Sequence, residues 1–171
     1  MGRLLGIGLI LSGCAGTLMG WYEMQKKRQA LMEECIRLFA HWHYALEREH
    51  IRLYDFLEEY PARFVEVKKL LMELKNLLEQ NCYQSGRIAW KKLLEENDSA
   101  FPLTGEAWQI LEDAGDAFFG NNSQESLRNI EICMRRMEEE LKSARTELVK
   151  KWKVYMPVGM LGGVILIILL V

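Results

Sequence analysis

Residues 127–148 run LRNIEICMRRMEEELKSARTEL, and the stepping of their apolar side chains governs how the remainder of the chain is read. Leu127, Ile130, Met134, Met137, Leu141, Ala144 and Leu148 alternate steps of three and four without a break. On an α-helix this places them along one seam, and such a seam calls for another helix against it. Glu138, Glu139, Glu140 and Lys142 fall largely outside the seam. The fold expected from this stretch is therefore built of helices.

Working upstream, the same period recurs, and no sustained two-residue alternation interrupts it. Leu31, Cys35, Leu38, Trp42 and Ala45 step by four and three, with polar Glu33, Glu34 and Arg37 between them. A shorter helix is expected over Ile51–Tyr60, cut by Pro61. Phe64, Val67, Leu71, Leu74 and Leu78 carry a third, which stops near Asn81 with Ser85-Gly86 as a turn. Ile88, Trp90, Leu93 and Leu94 mark a fourth. After a loop at Asn97–Pro102, Thr104 is expected to cap a helix whose apolar face is Ala107, Leu111, Ala114 and Phe118, with Trp108 alongside. The expected architecture is an antiparallel bundle of about six helices over residues 23–153.

The two ends differ in composition. Leu4 to Trp21 and Val154 to Val171 carry no charged side chain. As a helix, roughly 18 residues reach about 27 Å, enough for a thin hydrocarbon core. Residues 1–22 and 154–171 are thus expected to be transmembrane helices, with Pro157 in the first turn of the second. Lys26, Lys27 and Arg28 follow the first segment, and Lys150, Lys151 and Lys153 precede the second. Positive charge stays on the cytoplasmic side, so the middle of the chain is expected to be cytoplasmic. Trp21-Tyr22 and Trp152 with Tyr155 stand where amphipathic rings favour the interface. Gly6, Gly13 and Gly20 recur every seven residues, Gly16 and Gly20 form a small-xxx-small pair, and the second segment has Gly159, Gly162 and Gly163. Such faces allow close approach of membrane helices, either to each other or to helices of a partner. A rival expectation rests on Leu11-Ser12-Gly13-Cys14, which has the form of a bacterial lipoprotein cleavage site. Use of that site would make the protein an exported binding module lipidated at Cys14. The apolar run continuing to Tyr22 and the basic residues behind it oppose this.

Half of the 171 residues are hydrophobic and 27% are charged, with a net charge of -2. A near-neutral chain lacks the basic face that nucleic acid requires. Catalytic and metal motifs are missing from the pattern. His41 and His43 lie two apart and point to different helix faces, and His50 has no partner at helical spacing. Cys35, Cys82 and Cys133 have no His or Cys neighbour at ligand spacing. Glu58-Glu59 reads as a solvated face. There is no phosphate loop and no nucleophile elbow. No enzymatic activity, cofactor, metal or small-molecule substrate is expected. The aromatic residues Trp42, Trp90, Trp108, Phe118 and Phe119, with Gly120, are candidates for core packing or for an interface with a partner.

Several local patterns resemble the stage III sporulation protein AB family of endospore-forming bacteria. They are Ala89-Trp90 with Leu94, Phe119-Gly120-Asn121-Asn122-Ser123-Gln124-Glu125, and Lys151-Trp152-Lys153 ahead of Gly159-Met160-Leu161-Gly162-Gly163. Phe101-Pro102 through Gly105-Glu106 to Gly115 is also similar to the type II secretion platform-protein domain (F-type), a six-helix bundle. The resemblance implies a channel complex joining mother cell and forespore, with the protein in the mother-cell membrane. The partners it implies are a cytosolic secretion-type ATPase and other membrane subunits of the channel. A second copy of the chain is a further candidate partner.

Overall fold

The computed structural model describes residues 2–49, 51–80, 85–103, 105–120 and 122–170, excepting the side chains of 2–12, 14–15, 159–160 and 162–170. Among the described residues every regular element is helical. Helix α1 spans Gly2–Tyr44 and ends in a π-helical turn, Ala45–Glu49. Short helix α2 follows at Leu53–Glu59, then α3 at Val65–Glu79 and α4 at Gly86–Glu96. A 3-10 turn at Asp98–Ala100 leads to α5, Glu106–Phe118, and the long α6 runs Ser123–Leu170.

The chain divides into two compact units. One is the bundle, Arg28–Lys142, in which α2 packs on α3, α3 on α4 and α4 on α5. The other pairs the two helical ends, 1–27 and 143–171.

The bundle core follows the apolar periods. Leu31, Cys35, Leu38, Trp42 and Ala45 are all buried, as are Val67, Leu71 and Leu74 of α3 and Ala107, Leu111, Ala114 and Phe118 of α5. In α6 the buried line is Ile130, Cys133, Met137 and Leu141. Cys133 takes the inner position, and Met134 lies at its edge.

Phe118 is the hub of the aromatic core. Its ring lies 5.3 Å from Trp90, 6.1 Å from Trp42 and 6.4 Å from Phe39. Trp42 also meets Phe56 of α2 at 4.9 Å. Both buried indoles have their N–H satisfied by α5: Trp90 Nε1 donates to the Leu111 carbonyl at 2.8 Å, and Trp42 Nε1 donates to that of Ala117 at 3.3 Å.

The structure departs from expectation at the joints. Ser85-Gly86 is the start of α4 rather than a turn outside it: the Ser85 hydroxyl accepts from the Arg87 N–H at 3.3 Å. Ile88 is exposed, because it points off the core face of α4. Gly105, with φ of 60°, leads into α5, a conformation that favours glycine; Thr104 and Asn81 lie outside the described residues. The Asn122 carboxamide oxygen accepts from the Glu125 N–H at 2.8 Å and caps α6. Pro157 lies deep inside α6, not in a first turn, because α6 continues from the Leu127–Leu148 seam without a break.

Among the described residues, no helix is long and apolar enough to cross a membrane. The described part of α1 includes the charged Glu23, Lys26, Lys27 and Arg28, and that of α6 includes Lys150, Lys151 and Lys153. The flanking transmembrane helices of the expected fold therefore have no support from these residues. Most of the apolar side chains that suggested them lie outside the described set.

Gly115 tests the packing of the hub. A Cβ there would approach Trp90 Cδ1 to 2.9 Å. Alanine gains about 1 kcal/mol of helix propensity over glycine. Here the crowded indole cannot move without losing its hydrogen bond to Leu111. Gly115→Ala is expected to destabilise the protein by about 1–2 kcal/mol in chemical denaturation. A neutral or stabilised variant would show that the Trp90 site has slack.

Candidate functional site

Among the described residues of the bundle, one charged side chain is deeply buried. The Glu34 side chain, read from sequence as part of a polar face, is 2% exposed. Its carboxylate accepts from Arg37 Nη2 at 2.7 and 2.8 Å, from the Tyr60 hydroxyl at 3.2 Å and from the Arg63 backbone N–H at 3.0 Å. Arg37 Nη2 also donates to the Pro61 carbonyl at 3.0 Å, and its guanidinium stands 5.6 Å from the Tyr60 ring centre. The knot ties α1 to the corner between α2 and α3. Burial first, and then the Glu34 charge, push the Tyr60 hydroxyl above the ordinary tyrosine range. The hydrogen bond to Glu34 is the main reason the Arg37 pKa rises.

A cleft of about 280 Å³ opens beside the π-helical turn, lined by His41, Tyr44, Ala45, Ile51, Phe56, Tyr60 and Pro61, with Glu49 and Glu59. The His41 ring packs edge-on against Tyr60 at 5.5 Å. His43 faces Glu131 at 3.4 Å and Glu47 at 3.9 Å. Among the described residues no three His, Cys, Asp or Glu side chains gather to hold a metal ion. Cys35 and Cys133 are buried thiols. Burial, then the neighbouring Glu34 charge, pushes Cys35 up to about 12. Burial is also the leading cause that lifts Cys133 to about 11, with Asp113 next. Neither is a thiolate nucleophile at neutral pH.

The helical-end unit presents a different surface. Trp21 meets Tyr155 edge-on at 5.7 Å, and Tyr22 meets Trp152 at 4.7 Å. These two pairs set the register of the ends and form an aromatic collar. Lys26 Nζ lies 4.9 Å from the Tyr22 ring centre. Lys27, Lys150 and Lys153 are exposed, and Lys151 bonds Glu147 at 2.8 Å. Arg28 belongs to the bundle, where it pairs with Glu140 at 3.2 Å. On the far side of the collar Met19, Val158 and Leu161 are 60–64% exposed. Isolated apolar residues on a surface need no explanation, but several exposed on one side of a collar with lysines on the other make that unit a candidate interaction face.

Trp42, Trp90 and Phe118 are interior and hold helices together. Trp108 is half-buried and donates to Glu112 at 2.9 Å one turn along α5. The Phe119 ring rests on Gly86, where only a hydrogen leaves room for it. Gly120 is crowded by Ser126 Oγ and the Asp116 carbonyl. A Cβ at Gly13, Gly16 or Gly20 would meet nothing within 4 Å among the described residues. Gly6, Gly159, Gly162, Gly163 and Cys14 have side-chain positions outside the described residues. The Glu34 knot was missed by the sequence analysis; its only local signal was a Glu and an Arg three residues apart.

The class defined by these features is an all-α bundle with a paired helical extension. The sequence pattern of stage III sporulation protein AB matches residues 3–171, and the chain belongs to that family. Its fold is similar to a solved stage III sporulation protein AB structure, with a TM-score of 0.50 and 15% identity over 74% of this chain and 94% of that one. No curated protein sequence matches the chain.

Unfolding, alkylation and pH measurements test this geometry. Glu34→Ala strands the Arg37 guanidinium and the Tyr60 hydroxyl and is expected to cost about 3 kcal/mol in urea unfolding; Tyr60→Phe, which removes one hydrogen bond, is expected to cost about 1 kcal/mol. Alkylation of native protein at pH 8, mapped by mass spectrometry, is expected to leave Cys35 and Cys133 unmodified, while unfolded protein reacts at both. Because their folded pKa values are raised, their contribution to stability is complete below the unfolded thiol pKa near 9 and is lost as pH climbs toward 11 and 12. A thermal midpoint that rises between pH 9 and 11 would contradict this.

Proposed function

We propose that this protein is a non-enzymatic membrane platform of the channel complex linking mother cell and forespore. Membership of the stage III sporulation protein AB family gives it a role in sporulation. The finer assignment is carried by one observation: both helical ends change from exposed lysine to exposed apolar side chains across the same aromatic collar. Tryptophan and tyrosine belong at the boundary between head groups and hydrocarbon, with lysines on the cytoplasmic side. On this reading the apolar ends enter the mother-cell membrane and the bundle faces the cytoplasm.

The bundle then offers a surface to a soluble motor. Its similarity in sequence to the type II secretion platform domain supports a secretion-type ATPase as that partner. Its core is tied by the Phe118 hub and the Glu34 knot, which suits it to pass a displacement to its membrane-bound ends. Among the described residues nothing packs on Gly13, Gly16 or Gly20, which leaves room there for helices of channel subunits or of a second copy.

The test uses sporulating cells. The protein is expected to stay with membranes through high-salt and carbonate washes, and its precipitate is expected to contain the ATPase and channel subunits. A cysteine placed at exposed Glu139 is expected to react with an impermeant maleimide only after permeabilisation. Buried Cys133 would be an unsuitable reporter. Release by salt, or labelling of intact cells, would overturn the assignment.

A further inference from the structure

The collar lysines occupy a distinctive place. From Tyr22 to Lys26 is one helical turn, about 6 Å, and Lys150 and Lys153 lie within a turn of Trp152. The Lys26 ammonium is drawn over the Tyr22 ring, toward the collar. Lys150 and Lys153 are exposed, and among the described residues neither has an ion-pair partner. Over residues 21–27 and 147–155 five lysines face two carboxylates, Glu23 and Glu147, and Glu147 is already engaged by Lys151. The unit therefore presents uncompensated positive charge directly beside exposed Met19, Val158 and Leu161. A small anion would neutralise the charge and leave the apolar zone in water. An amphiphile with an anionic head satisfies both at once.

We infer that the collar recognises anionic glycerophospholipids of the bilayer, with Lys26, Lys150 and Lys153 holding the head-group phosphodiester and the aromatic rings marking the depth of the glycerol region. This rests on the membrane reading above and adds a lipid preference to it. The lysines stand on the aqueous side of the collar, where their ammonium groups are within reach of the phosphate plane.

The full chain, reconstituted in phosphatidylcholine vesicles with increasing phosphatidylglycerol, tests this. Acyl chains brominated on one lipid or the other quench collar tryptophans, and a Trp21→Phe/Trp152→Phe variant gives the background from the other tryptophans. Phosphatidylglycerol is expected to compete for the collar at least about threefold better than phosphatidylcholine. The preference is expected to fall to about one in Lys26→Gln/Lys150→Gln/Lys153→Gln with helicity unchanged by circular dichroism. Lys142→Gln, which removes a charge away from the collar, is expected to keep it. Millimolar inorganic phosphate is expected to compete no better than sodium chloride of equal ionic strength. Equal quenching by the two lipids overturns the inference, as does an equal loss in Lys142→Gln or specific displacement by phosphate. Absence of quenching by either lipid, with the protein left outside the vesicles, instead defeats the membrane reading.

Discussion

The bundle depends on how Glu34 is accommodated. A carboxylate that is 2% exposed loses its hydration, and the loss is tolerable only with excellent geometry around both oxygens. Arg37 provides the charge, and Tyr60 and the Arg63 N–H complete the shell. The donors come from α1 itself and from the corner that turns α2 into α3. The knot therefore holds a sharp corner at Pro61, where no helical hydrogen bonds are available, against a long helix. A hydrophobic replacement of the whole group could be equally stable, but it would not dictate one position of the corner.

Against that fixed corner the aromatic hub sets the remaining helices. Phe118 contacts rings from α1 and α4, and the two indole N–H groups bond carbonyls one and seven residues upstream of it on α5. Each aromatic pair contributes of order 0.5–1.5 kcal/mol beyond simple burial. The hydrogen bonds add direction, because each indole has one orientation that satisfies its donor. Gly115 belongs to the same arrangement, since its missing side chain is the space that Trp90 fills.

The helical ends follow another rule. Their rings pair to form a collar, and side chains change character across it from ammonium to hydrocarbon. In the proposed setting, the surface is matched to a solvent that is itself layered. The bundle can then be a conventional water-facing helical core, while the ends are adapted to a boundary.

Local periodicity was enough to define the helices, since a side chain's place on a helix depends only on its spacing from its neighbours. Leu31, Cys35, Leu38, Trp42 and Ala45 could be assigned to one buried face without any knowledge of what covers them. Composition raised the expectation that Trp21, Tyr22, Trp152 and Tyr155 stand at a membrane interface, which belongs to the proposed function. Neither could show that Trp21 meets Tyr155, that Glu34 is interior, or that Phe119 lies on Gly86. Those depend on segments separated by tens of residues, and a polar residue beside an apolar seam is written identically whether water or a distant arginine receives it. Sequence alone determined the helical character of the chain and its contrast between charged middle and apolar ends; only the tertiary structure decided which charge is buried and which rings touch, because desolvation and contact are properties of the assembled fold.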